Sequence, residues 1–424
     1  MLHKTRRFSK RWLLQVNIVD LFISYVLFFP PILQALGKSY SLGIIFCAFS
    51  LTPFFSKLIF SGVANVRTFL LASFFVVYSP TAFLLGSMYF SGPNLRRWVL
   101  GLLVIMSIMI LASIFAHIYE KALRTQKFHS NKFQIFSALA IYSHVILFLR
   151  FAEFSPLYLK INSPLGFFSE PSHVAYVTCI FLFLKSFLAT RRMFALYMLG
   201  AIIFVISIES LVGIAALFCV AFALASRLKK IFVILVFFMV VILVQFIDFE
   251  PLKNLTFILD TGINLTAAVY LSGWERAFLN LMETNGLGLG VNQFGVYGDQ
   301  GTFGDLIIRR AGYIVNSFDG SFIFAKLTGE FGLFALLVTA YLLHLWRKCY
   351  SNTRYMNNAF SLGIISSYLI LFFFRAPGYA CGASALLVAI CTNPKLMKHE
   401  LQSSNAKLRQ RQVETQIRSD SKHL

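Results

Sequence analysis

Long apolar runs recur from one end of the chain to the other, and no other feature constrains the fold as much. Most runs are about 18 residues or longer, enough for a helix to cross a hydrocarbon core of about 30 Å. Of the 424 residues, 58% are hydrophobic and only 13% are charged, whereas soluble domains average about 25% charged residues. The runs are continuously apolar, unlike the alternating strands of a membrane barrel. The sequence therefore predicts an all-α, polytopic integral membrane protein.

We predict about twelve transmembrane helices from these runs, nine of them within residues 1–247 and three within 321–393. Their predicted positions are 14–36, 41–56, 68–90, 98–118, 133–150, 171–190, 193–209, 211–226, 231–247, 321–346, 359–375 and 378–393.

The net charge of +21 is explained by membrane orientation and gives no indication of nucleic-acid binding. With the N-terminus in the cytoplasm, predicted cytoplasmic segments hold 26 of the 38 Lys and Arg, external segments hold 8, and spans hold 4. Cytoplasmic loops of membrane proteins are enriched in Lys and Arg. The pattern thus predicts both termini in the cytoplasm, with residues 394–424 forming a basic cytoplasmic tail.

The segment 248–320 stands apart as a large external loop of 73 residues. It carries 8 of the 17 acidic residues and only 4 basic ones. Connections this long are usually functional, so we expect the loop to contribute to a functional site.

Residues 169–173, Ser-Glu-Pro-Ser-His, precede the sixth predicted span. Pro171 suits the first turn of a helix, which places Glu170 near the N-cap, at an end that favours anions. His173 follows three residues later on roughly the same face. The pair can serve a transfer reaction involving phosphate. The structural alternative is helix capping with a buried polar contact.

A third candidate region is Gly273-Trp274-Glu275-Arg276, followed by glycines at 286, 288 and 290. A guanidinium can grip two oxygens of a diphosphate at once, and glycines permit close approach of the backbone to a ligand or a helix. Arg309 and Arg310 form a second external basic spot. Simple salt bridges within the loop are the alternative for both.

Ionisable residues in or beside spans are costly and often mark a functional cavity. They include Arg150, Glu330 and Arg375, although the two arginines lie at predicted outer ends, where the side chain can instead extend to the interface. The six cysteines show no metal-binding spacing, and the chain has neither HExxH nor a P-loop. We predict no metal or nucleotide cofactor.

Together these segments resemble the Wzy-type polysaccharide polymerases, a family that includes the O-antigen ligases. The likeness rests on the large late loop and on three short motifs: the Gly-Phe-Phe-Ser-Glu-Pro-Ser-His-Val-Ala stretch at 166–175, an Arg followed by a Gly-Leu-Gly run, and Phe-Phe-Arg-Ala-Pro-Gly-Tyr at 373–379. It covers most of the chain in architecture, but only these motifs in sequence.

The resemblance implies a multi-pass glycosyltransferase of the bacterial inner membrane, with its active site facing the periplasm. The substrates would be oligosaccharide repeat units linked to undecaprenyl diphosphate, joined into a surface polysaccharide such as O-antigen or capsule. Membrane lipid and a chain-length regulator protein would be its partners. The alternatives are an O-antigen ligase and a non-enzymatic transporter of polysaccharide or lipid-linked oligosaccharide.

Residue roles follow from the same resemblance. Family polymerases have an external arginine in an Arg-x10-Gly pattern; Arg276 matches the Arg, but its glycines fall at 286, 288 and 290 rather than 287. Family ligases have a histidine in the large loop, and 248–320 has none, which favours polymerase.

We expect Glu170, with His173 beside it, to be the first candidate for the general base and Glu275 the second. Arg276, together with the N-terminus of the sixth span and Arg375 or Arg150, would stabilise the leaving diphosphate. Arg309 and Arg310 would also bind substrate, and Trp274 would stack on a sugar.

Overall fold

The structure is a computed structural model. It describes residues 18–35, 39–60, 66–89, 92–124, 198–202, 211–224, 230–231, 233–235, 239, 265–296, 298–313, 318–351, 359–374 and 378–393. The predicted spans 133–150 and 171–190, most of 193–209 and 231–247, and the tail 394–424 lie outside these residues.

Twelve helices of nine or more residues lie within the described ranges, and they are not the twelve predicted spans. In chain order they are α1 Ile18–Ala35, α2 Tyr40–Ser50, α3 Thr52–Phe60, α4 Val66–Tyr89, α5 Leu95–Arg124, α6 Leu211–Leu224, α7 Leu265–Glu283, α8 Gly301–Ala311, α9 Ile323–Phe331, α10 Leu333–Ser351, α11 Ala359–Phe373 and α12 Gly382–Thr392. The all-α prediction is confirmed for this part of the chain.

Two of these helices are long and apolar enough to cross a membrane, over Val66–Met88 in α4 and Leu95–Ala122 in α5. A third span is present if α2 and α3, bent by 52° at their junction, count as one. The outer face of α4 exposes large apolar side chains, including Phe69, Val77 and Met88 at 70, 71 and 80%. A surface of this kind suits lipid better than water, so the fold fits an α-helical membrane protein.

The predicted span 321–346 differs from the structure, because α9 and α10 are separate helices there. They meet at Gly332, whose φ is 59°. A side chain at this position would collide with the carbonyl of Gly286, which accepts a hydrogen bond from the Leu333 amide at 2.9 Å. The chain therefore turns at Gly332 in order to pack against the glycine run of the predicted external loop.

The main hydrophobic core lies between α1, α2, α4, α5, α10, α11 and α12. Small residues allow close packing in it: Gly382 of α12 lies against Val26 of α1. The Thr68 hydroxyl, near the start of α4, is 2.9 Å from that of Thr392, at the end of α12, so the start of α4 meets the end of α12.

The segment predicted as an external loop, 248–320, contains α7 and α8. Its position outside the membrane stays a prediction. α7 packs against α8 and α9, and the hydroxyl of Tyr270 in α7 donates a hydrogen bond of 2.9 Å to the carbonyl of Phe373, the last residue of α11. This packing fixes α7 beside the apolar helices.

Candidate functional site

Arg276 is buried on the inner face of α7. Its side chain is 3% exposed, and the guanidinium carbon lies 4.5 Å from the centre of the Phe294 ring. Within the described residues no carboxylate and no hydrogen-bond acceptor contacts it. Burial lowers the pKa of Arg276 to about 10, so the group still carries its charge at neutral pH. A buried cation without a counter-ion is costly, and an anionic ligand would remove that cost.

Asn280 extends this polar face by one helical turn, since residues four apart lie on the same side of a helix. It is 1% exposed, and its Oδ1 has no hydrogen-bond partner within the described residues. Buried amide oxygens are nearly always hydrogen-bonded. Arg276 and Asn280 thus supply a charged donor and a free acceptor to one interior region, a combination that suits a ligand with phosphate oxygens and hydroxyl groups.

The glycine run 286–290 forms one wall of this region. Its backbone pairs with the end of α9: the Leu289 amide donates to Gly329 O at 2.8 Å, and the Gly290 amide donates to Glu330 O at 3.0 Å. The expected close approach of the backbone is therefore to another backbone segment. Through this pairing the run holds Phe294, and with it the surface on which Arg276 lies, against α9.

A second polar cluster surrounds the Glu330 side chain, which is fully buried. Its Oε2 accepts hydrogen bonds from the Asn292 amide at 2.8 Å and the Tyr379 hydroxyl at 2.7 Å. Among the residues that the structure describes, its Oε1 has no hydrogen-bond partner. It lies 4.0 Å from Lys326 Nζ, a separation that permits charge attraction but not a hydrogen bond. Glu330 therefore joins the loop after the glycine run to the segment before α12.

The other charges of this cluster come from three different segments. Lys326 Nζ donates to Phe318 O at 2.9 Å and lies 3.4 Å from the half-exposed Asp319 carboxylate. Arg97, near the start of α5, donates from Nε to Asn292 O at 3.2 Å, and its guanidinium carbon stacks 3.9 Å from the centre of the Phe318 ring. The cluster thus ties α5, α9 and the loop before α9 together.

The sequence singled out Glu330 but missed Arg97, Lys326 and Tyr379 as its neighbours. The four-residue spacing of Lys326 and Glu330, which places the two on one face of a helix, was the available signal. The proximity of Arg97 and Tyr379 depends on packing between distant segments, which no local pattern encodes.

Glu275 caps α8 in the structure. Its Oε1 accepts from the Thr302 amide at 2.9 Å and also from the Thr302 hydroxyl, and its Oε2 accepts from the Phe303 amide at 2.8 Å. Because both oxygens are engaged at a helix N-terminus, this geometry favours a structural role. Its prediction as a second candidate base stays a prediction.

Trp274 lies in an aromatic cluster, with ring centres 4.9 Å from Phe322 and 5.1 Å from Phe324. Arg309 and Arg310 are exposed in the last turn of α8, where positive charge complements the helix dipole. The structure does not place these three side chains beside Arg276. The other predicted site residues, Arg150, Glu170, His173 and Arg375, lie outside the described residues.

Among the residues that the structure describes, no group of three or more His, Cys, Asp or Glu side chains is placed to bind a metal ion. In comparisons with known proteins, the chain matches no family model, no curated protein and no solved structure.

Proposed function

We propose that this protein is a polysaccharide polymerase of the bacterial inner membrane that joins undecaprenyl-diphosphate-linked repeat units. In this proposal about twelve helices cross the membrane and the segment 248–320 faces the periplasm. The single observation that carries it is the buried Arg276 guanidinium, which no carboxylate among the described residues neutralises. A diphosphate supplies the missing negative charge, and a bidentate guanidinium suits its paired oxygens.

The reaction divides between a base and a group that stabilises the leaving diphosphate. An acceptor hydroxyl oxygen attacks the anomeric carbon of the donor sugar, and the bond from that carbon to the diphosphate oxygen breaks. The hydroxyl proton passes to a carboxylate, for which Glu170 remains our first candidate. Undecaprenyl diphosphate leaves, and Arg276 stabilises the charge that develops on it in a site with little water.

The test compares three strains on a gel of surface polysaccharide: one lacking the gene, one complemented with the wild type, and one complemented with Arg276→Ala. For a polymerase, loss of the gene leaves core carrying a single repeat unit, and the wild type restores the ladder. We expect Arg276→Ala to lose long chains at an unchanged protein level. Arg347→Ala, which removes an exposed arginine at the far end of α10, is the control and should keep the ladder.

The other outcomes identify the alternatives. A deletion strain with no repeat unit on the core and with lipid-linked polymer accumulating would indicate a ligase. An unchanged ladder after deletion would refute the polymerase proposal. Normal long chains in the Arg276→Ala strain would refute the role of Arg276 alone.

A further inference from the structure

The outer face of α7 carries exposed apolar side chains near its C-terminal end. Phe278 and Met282 are 62% and 64% exposed, and their spacing of four residues aligns them on one stripe. Each residue turns a helix by about 100°, so this stripe lies opposite the buried Arg276. Leu287, 40% exposed, continues it beyond the helix. Side chains of this size favour an apolar neighbour over water.

This stripe is continuous with the exposed apolar surface of α10 and α4. The Leu333 side chain packs against Gly286, and its amide bonds to the Gly286 carbonyl. Beside it, Phe334 of α10 has its ring centre 5.0 Å from that of Phe74 in α4. Leu337 and Val77 are 68% and 71% exposed along the same surface. The apolar face of a membrane helix therefore extends to the stripe of α7, and the exposed polar residues Glu283 and Asn285 lie in the chain between Met282 and Leu287.

The contacts of the glycine run also place it within the length of the apolar helices. The Tyr78 hydroxyl, at the middle of the apolar stretch Val66–Met88, donates to Leu287 O at 2.8 Å. Gly101 packs against Asn292, and it lies six residues, or about 9 Å at 1.5 Å per residue, inside the start of α5. The run thus lies beside these helices rather than above their ends.

The amides of the run, and several of its carbonyls, are hydrogen-bonded to other protein groups. Each amide from 286 to 290 donates a hydrogen bond: to Leu281 O, Thr284 O, Thr284 Oγ1, Gly329 O and Glu330 O in turn. The carbonyls of Gly286 and Leu287 accept from the Leu333 amide and the Tyr78 hydroxyl. Irregular backbone is tolerated at membrane depth only where protein groups or a water-filled cavity satisfy it, and protein groups satisfy all five amides of this segment.

We infer that the apolar stripe formed by Phe278, Met282 and Leu287 lies against lipid acyl chains at the edge of the bilayer. The opposite face of α7, which carries Arg276, stays in the protein interior. Part of the segment predicted as an external loop therefore contacts the membrane beside α4 and α10. This lipid contact does not depend on glycosyl transfer, so it can hold or fail independently of the proposed function.

Tryptophan quenching by brominated lipid tests the contact. Phe278→Trp, Met282→Trp and Leu287→Trp are each placed in the full chain and reconstituted into nanodiscs with ordinary or brominated phosphatidylcholine. The four native tryptophans give a background that is measured in the wild type and subtracted. Val77→Trp on the exposed face of α4 is the lipid-facing control, and Asp305→Trp on the exposed face of α8 is the water-facing control.

We expect the added emission of the three α7 and loop variants to be blue-shifted and quenched as strongly as that of Val77→Trp. Red-shifted, unquenched emission like that of Asp305→Trp would overturn the inference, because the stripe would then face water. Blue-shifted emission without quenching would overturn it as well, because a protein surface, from another chain or a second copy, would then cover the stripe. Quenching of Val77→Trp in the same preparation shows that the helices are inserted.

Discussion

Replacing Gly288 by alanine tests the backbone contact that holds the glycine run against α9. Gly288 has φ of +83°, and an added Cβ would lie 2.6 Å from three backbone atoms: the carbon and oxygen of Glu330 and the nitrogen of Gly332. Gly312, just after α8, is a matched control, because its φ is +78° and an added Cβ would meet nothing within 4 Å. Gly288→Ala and Gly312→Ala therefore share the backbone strain and differ in the collision.

The expected magnitudes follow from these two contributions. A non-glycine residue in the left-handed region costs about 1–2 kcal/mol, and this is the whole expected loss for Gly312→Ala. Forcing extra volume into a packed site adds about 1–3 kcal/mol, because backbone atoms cannot rotate away as a flexible side chain can. Gly288→Ala should thus lower the free energy of unfolding by about 2–5 kcal/mol, roughly 1–3 kcal/mol more than the control.

The assay is unfolding in mixed micelles with increasing SDS, followed by far-ultraviolet circular dichroism, for the wild type and both variants. Limited proteolysis of the segment 286–290 gives a local readout, since separation from α9 breaks the Leu289 and Gly290 hydrogen bonds. Equal destabilisation by the two substitutions, with unchanged proteolysis, would refute the claim that this glycine is required for the backbone contact.

Three further predictions concern the polar residues of the site. Arg276→Met should leave the free energy of unfolding unchanged or raise it by up to about 4 kcal/mol, because an apolar side chain replaces a buried charge. Inorganic pyrophosphate should raise the Tm of the wild type but not of this variant. A large loss of stability in Arg276→Met would instead indicate that a protein group neutralises the arginine. Glu330→Ala should lower the free energy of unfolding by about 3–5 kcal/mol, since Lys326 loses a buried partner. Tyr379→Phe should lower it by about 1–3 kcal/mol, because it removes one hydrogen bond. Equal losses of stability in SDS titration would contradict this ranking. Glu275→Ala should lower the free energy of unfolding by about 0.5–2 kcal/mol through the lost cap of α8 and speed amide hydrogen exchange at Thr302 and Phe303. Glu275→Gln should have a smaller effect on both, because its amide oxygen still accepts a hydrogen bond. Normal exchange together with lost chain extension in Glu275→Ala would instead support the base role.

The positions of several helices were predictable from hydropathy alone. α1, α4, α6 and α11 begin and end within a few residues of predicted spans, because a long, mainly apolar run favours one continuous helix. The break between α9 and α10 was not predictable in the same way. Its stretch is mainly apolar but contains Gly329, Glu330 and Gly332, and such residues do not by themselves fix a break, since α4, α6 and α11 each continue through a glycine. The turn occurs at Gly332 because the carbonyl of Gly286, distant in sequence, occupies the space beside it.

In the candidate site too, the sequence predicted some features and only the packing of distant segments set the others. Arg276 was identifiable as an isolated cation within an acidic segment, and the glycines after it indicated a close approach of backbone. The structure adds that this approach is to α9, that Glu275 caps a helix, and that Trp274 packs among aromatic rings. Side-chain type limits what a residue can do, but neighbours contributed by other segments select one of those roles.

The sequence by itself determined that this chain forms apolar helices suited to a membrane, because the length and composition of an apolar run set its preference for lipid over water without reference to the rest of the chain. It also determined which side chains carry charge. Only the tertiary structure decided that Arg276 is buried without a counter-ion among the described residues, that Glu330 joins three segments, and that the glycine run lies beside α4. The physical reason is that burial and hydrogen-bond partners are pairwise properties of residues far apart in the chain, set by how helices pack and not by any single stretch of sequence.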